Sequence, residues 1–201
     1  MTTITRRIGR HRRNFAAGTN APTRGIVARI KEFHMSAAAK AKPAVPKEKT
    51  LSDAFYETLK DVYFAEKQAL KACKKSAKAA KLPALKAAFT THGEETAHQI
   101  ERLTKVFEMI GKAARAKTCK AMMGIAEEMD ADLEEFGGSE VNDAVLIGCG
   151  QAVEHYEIAR YGLLKAWATK LNLPAAVELL DETLQEEKKA DALLSQIAGQ
   201  I

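Results

Sequence analysis

Glu66, Glu95, Glu157 and Glu187 each interrupt the apolar stripe of a long helical segment, at similar distances from a Leu-Pro-Ala turn. From Pro83, Glu66 lies 17 residues back and Glu95 12 forward; from Pro174, Glu157 lies 17 back and Glu187 13 forward. A single glutamate in such a stripe is ordinarily solvated, or paired with a neighbour such as Lys67, Arg102, Arg160, Lys188 or Lys189. Burying it ionised and unpaired is costly. Four at similar depth, on four segments, point instead to a shared counter-ion, and carboxylate oxygens with few imidazoles suit iron or manganese.

Two further acids join the expected ligand set. Glu154 lies one turn before Glu157, beside Gly150, Ile158 and Tyr161, and Asp191 follows Glu187 in the heptad stripe Val177, Leu180, Leu184, Glu187, Asp191, Leu194 and Ala198. The metal ligands expected are therefore Glu66, Glu95, Glu154, Glu157, Glu187 and Asp191, holding two Fe ions or an Fe/Mn pair. His92, His98 and Gln99 are left open as helpers. A di-iron bundle takes one Glu from each of two helices and Glu-x-x-His from each of the other two. Glu95-Thr-Ala-His98 has that spacing once, whereas Glu187 is followed by Ala190 where the second His would stand. His98 lies about 120° round the helix from His92, among Glu94, Arg102 and Lys105, and is expected to be exposed. Glu186 is as far from Pro174 as Glu95 is from Pro83, but Glu187 has the more apolar heptad neighbours and is preferred.

The elements that must position these groups are legible as amphipathic runs. Leu51, Phe55, Leu59, Val62, Tyr63, Ala69, Leu70 and Cys73 follow a 3.6-residue period from Thr50 to about Lys81, with Thr50 or Ser52 as N-cap. Pro83 opens a second segment that Gly111 ends. A shorter one spans about 119–136 and stops at Gly137-Gly138. Ser139 is expected to cap a fourth reaching about Leu171, and Pro174 opens a fifth reaching about Ala198. Strand-like alternation is absent. The class is all-α: two antiparallel helical hairpins joined by a long, partly helical crossover, the ferritin-like form of a four-helix bundle.

Composition separates a tail from this body. Residues 1–34 hold eight Arg or Lys against one acid, so the rest of the chain carries 23 basic and 25 acidic residues of the totals 31 and 26. Residues 1–49 read as a basic, disordered tail and 50–201 as the bundle domain. Met35-Ser-Ala-Ala-Ala is a start in its own right, so 1–34 are expected to be a mis-called or vector-derived start, or else a basic tail. No apolar stretch of about 18 residues exists to cross a membrane. The three cysteines, Cys73, Cys119 and Cys149, lack CxxC or CxxH spacing and read as reduced, buried thiols of a cytoplasmic protein.

Five blocks in order resemble the YciF-like stress-protein family of the ferritin-like superfamily. They are Asp61-Val-Tyr63-Phe-Ala65-Glu66-Lys67-Gln68, His92-Gly-Glu-Glu95-Thr96-Ala-His-Gln99-Ile-Glu-Arg102, Cys119-Lys-Ala-Met122-Met-Gly124, Gln151-Ala-Val153-Glu154-His155-Tyr156-Glu157-Ile158-Ala159, and Thr183-Leu184-Gln-Glu186-Glu187-Lys188-Lys-Ala-Asp191. The resemblance, covering roughly Leu51 to Ala198, implies a rubrerythrin-like bundle, often a homodimer, linked to bacterial stress responses. With the carboxylate set above, the leading expectation is a ferritin-like di-metal carboxylate protein that reduces peroxide or oxidises Fe(II) in its core. The competing expectations are a structural or partner-binding stress protein with an empty or structural site, and a DNA-associated protein acting through its basic tail.

Overall fold

The computed structural model describes residues 48–201, so the expectations for the basic tail and for most of the linker after it lie outside the described residues. Five α-helices follow in order: α1 (Leu51–Ala79), α2 (Pro83–Met109), α3 (Lys120–Phe136), α4 (Asn142–Lys170) and α5 (Pro174–Ala198), with no strand among the described residues. The fold is the expected ferritin-like bundle. No described helix is long and apolar enough to cross a membrane.

Local chemistry sets the ends. Thr50 and Asp53 form a capping box at α1: Asp53 N–H donates to Thr50 Oγ1 (3.2 Å) and Thr50 N–H to Asp53 Oδ2 (2.9 Å). Pro83 and Pro174 occupy first turns, where a missing N–H costs nothing. The fourth helix departs from expectation. It begins at Asn142, and Ser139 is not its cap; the Ser139 hydroxyl donates back to the Phe136 carbonyl and closes the turn after α3.

The start of α4 instead serves the first hairpin. Asp143 accepts from the N–H groups of Lys81 (2.9 Å) and Leu82 (2.6 Å), and the Asn142 amide donates to Ala79 O (3.1 Å). Lys81 Nζ reaches back to the carbonyls of Gly138 (2.6 Å) and Ser139 (2.7 Å). The turn between α1 and α2 is thus fastened to the end of the crossover.

Around the bundle, α1 adjoins α2 and α4, and α5 completes the square against α2 and α4, leaving α1/α5 and α2/α4 diagonal. Helix α3 lies over the α1/α4 side through Met122, Cys119, Ala65, Ala69 and Val153. Two apolar clusters fill the interior. One gathers Phe55, Leu59, Leu103, Phe107, Tyr161, Leu164 and Leu180; the other gathers Leu85, Phe89, Leu146, Ile147, Leu194 and Ile197. Each fully buried Leu or Phe contributes about 1.5–3 kcal/mol. On every bundle helix the residues between the two clusters include buried polar groups, so a polar belt crosses the middle of the core: Glu66, His92, Thr96, Gln99, Glu154, Glu157, Thr183 and Glu187.

Candidate metal centre

Helix α1 delivers Glu66 to this belt, α2 delivers His92, α4 delivers Glu154 and Glu157, and α5 delivers Glu187. Glu66, Glu157 and Glu187 have no exposed surface, Glu154 has 2% and His92 5%. Donor atoms of His92, Glu154, Glu157 and Glu187 lie within 4.8 Å of one another. The His92 Nε2 atom is 3.2 Å from Glu154 Oε1 and 3.3 Å from Glu187 Oε2. On the other side of the ring, Nδ1 is 3.2 Å from Glu95 Oε2. Glu66 Oε1 accepts the Tyr161 hydroxyl.

The cluster is short of partners. Glu66 Oε2, Glu154 Oε2, both oxygens of Glu157, both of Glu187 and His92 Nε2 are buried without an aligned hydrogen bond. No Lys or Arg ion pair among the described residues reaches it. Arg102 goes to Glu186 and Glu182 (2.7 Å each), Lys67 lies over the Tyr63 ring and Arg160 over the Tyr156 ring. Buried oxygens left open in this number fit a hard divalent cation.

Electrostatics in the metal-free chain follow from that crowding. Burial, reinforced by the neighbouring carboxylates, raises Glu66 and Glu157 well above the usual carboxylate range. Burial pushes Glu187 up to about 8, against the opposing pull of His92. For His92 burial favours the neutral ring, but contacts to Glu154, Glu187 and Glu95 outweigh it and hold the imidazole charged. The Cys73 thiol beside the site is pushed up to about 12, mainly by burial, and stays protonated. The metal-free chain therefore neutralises its acids with protons and one imidazolium.

Of the six expected ligands, four meet in the core and two do not. Glu95 stands at the edge, its side chain 41% exposed, and holds the outer nitrogen of His92. Asp191 turns toward α4, accepting from Gln151 Nε2 (2.9 Å) and facing His155 Nε2 (3.2 Å), itself on an exposed ring. His98 is exposed. Gln99 is buried and donates to Glu186 Oε2 (3.0 Å), which also takes Arg102. Glu187 is thus buried in the belt, while Glu186 lies on the flank with Arg102.

Spacing in the sequence leaves His92 open and favours Glu95 as a ligand. A signal was present: Glu95 sits 12 residues past Pro83, matching Glu186 past Pro174, and both are partly exposed. The buried Glu187 corresponds at 13 residues to the buried Thr96. Shared spacing from the turn thus assigns Glu95 to the flank of its helix.

A family model described as a domain of unknown function, DUF892, matches residues 50–201. The chain is 45% identical over 152 residues to Protein YciF of Escherichia coli (strain K12), across 75% of this chain and 91% of that protein. Among solved structures it is similar to the E. coli stress protein YciF (TM-score 0.72, 43% identity, 75% of this chain and 96% of that one). It is equally similar to YcfI of Rhodopseudomonas palustris (TM-score 0.72, 40% identity, 75% and 96%). A Xanthomonas campestris protein, at TM-score 0.61 and 20% identity over 75% of this chain and 92% of that one, shares the fold.

Proposed function

Because the chain belongs to the DUF892 family of YciF-like stress proteins, we propose that its core holds two iron ions, or iron with manganese, and reduces peroxide or oxidises Fe(II) there. The observation that carries this reading is the set of four buried carboxylates without a Lys or Arg counter-ion among the described residues. Two divalent cations would balance four carboxylates beside a neutral imidazole. A protonated cluster is the alternative when metal is lacking.

The ligand set supported is Glu66, Glu154, Glu157, Glu187 and Nε2 of His92. Glu95 then acts through His92: a carboxylate on Nδ1 fixes the ring and makes Nε2 a better donor. Tyr161, whose phenol is raised well above its usual range by burial and by Glu66, stays protonated and holds Glu66 Oε1, leaving Oε2 for an ion. Bound iron supplies the electrons for breaking an O–O bond. The apolar clusters above and below exclude bulk water.

Elemental analysis with anaerobic Fe(II) titration tests this. About two equivalents per chain are expected for the wild type, with loss of binding in the double variant Glu157→Ala, Glu187→Ala. An absorbance change on adding peroxide to the loaded protein should follow. A second reading has its own support: the Rhodopseudomonas relative is described as a candidate structural protein. No metal uptake, with the double variant at least as stable as the wild type, would favour that non-catalytic role.

A further inference from the structure

A cleft of about 100 Å³ opens between α2 and α5 and runs down to His92 and Glu154. Its walls are largely apolar, formed by Phe89, Ala190, Leu193 and Leu194, while Glu95 and Lys189 stand along it. Leu193, at 43% exposure, is one of the few large apolar side chains left in solvent among the described residues. Behind the walls Gly150 makes room: a Cβ there would sit 3.0 Å from Leu194 Cδ1 and 3.1 Å from Phe89 Cε1. At the foot, Glu154 Oε2 and His92 Nε2 are buried and lack an aligned partner.

We propose that this cleft is the port to the buried carboxylates and that it fits a short-chain alkyl hydroperoxide. The inference rests on the redox reading of the site. A cavity of about 150 Å³ accepts benzene, so this smaller one suits a compact molecule, and its apolar walls gain from burying an alkyl group. An anion would have to give up its hydration between these apolar walls. An uncharged hydroperoxide meets no such barrier: its alkyl end lies against Phe89 and Leu194, and its peroxide end faces His92 and Glu154.

Two measurements separate the port from the redox reading. Metal-free crystals pressurised with xenon should show the atom between Phe89, Leu193 and Leu194, and Ala190→Phe should remove it. Xenon absent from the cleft of the wild type overturns the port, whatever the metal chemistry. With Fe(II)-loaded protein, two ferrous ions become ferric as one hydroperoxide takes two electrons from them and two protons from solvent to give alcohol and water, and stopped-flow absorbance gives the rates. Cumene hydroperoxide should react far more slowly than ethyl hydroperoxide, and Leu193→Ala should raise the ratio of the first to the second by about tenfold. A ratio unmoved by Leu193→Ala overturns the assigned selectivity. Loaded wild type inert to every peroxide, hydrogen peroxide included, overturns the redox reading and the hydroperoxide with it, while the xenon result still decides the port.

Discussion

Glu187, raised to about 8, makes stability depend on pH in a direction opposite to that of an ordinary ion-paired acid. The folded chain keeps this proton where the unfolded chain, titrating near 4.5, has released it, so the folded state binds more protons across that interval. Stability is therefore full below about 4.5 and declines as pH rises toward 8; Glu66 and Glu157 are shifted in the same sense. The urea midpoint of the metal-free protein should fall between about pH 5 and 8, and added Fe(II) under anaerobic conditions should restore it. Glu157→Gln should stabilise the metal-free protein by about 1–3 kcal/mol at the alkaline end while losing the response to metal. A midpoint that rises with pH in the absence of metal would contradict this. These acids were legible in sequence because each breaks an apolar stripe. Asp191 looked equivalent but is not, because a stripe gives the direction of Cβ and not the fate of the carboxylate. Its partners Gln151 and His155 come from α4, whose register against α5 the periodicity does not carry.

Helix boundaries were readable to within a few residues from Pro and Gly and from the Thr50 capping box, all of them local signals. The fastening of the turn between α1 and α2 was not, since Asp143, which accepts from Lys81 and Leu82, is about 60 residues away on another helix. Ser139 fitted the pattern of a cap for α4, yet the chain spends two further residues in turn before the helix begins. Burial alone would raise Asp143, but the N–H groups of Lys81 and Leu82 prevail and hold it below the usual aspartate range. Its contribution is thus present above pH 3.8 and disappears as pH falls through the lower, folded value. Asp143→Ala should cost about 1.5–3 kcal/mol, as loss of hydrogen bonds to a charged group does, and should speed amide exchange at Lys81 and Leu82 at neutral pH. Unchanged exchange there would place the stabilisation elsewhere.

At the scale of the molecule, short turns made the two hairpins predictable, whereas the pairing of α1 with α4 and of α2 with α5 arises only when they dock. The donor set is divided across that seam: α1 and α2 bring Glu66 and His92, while α4 and α5 bring Glu154, Glu157 and Glu187. Neither half brings the whole set. Each hairpin closes through local contacts and should form early; joining them is the slower, non-local event. It also presses the acids of one half against Glu66 of the other, so its barrier should grow with every proton the chain has released. Refolding of the metal-free protein, followed by stopped-flow fluorescence of Trp167, should slow from about pH 5 to 8. A rate that ignores pH over that range would mean that the halves meet before their acids lose water. The centre of the bundle would then set the height of the native well without governing how fast the chain enters it.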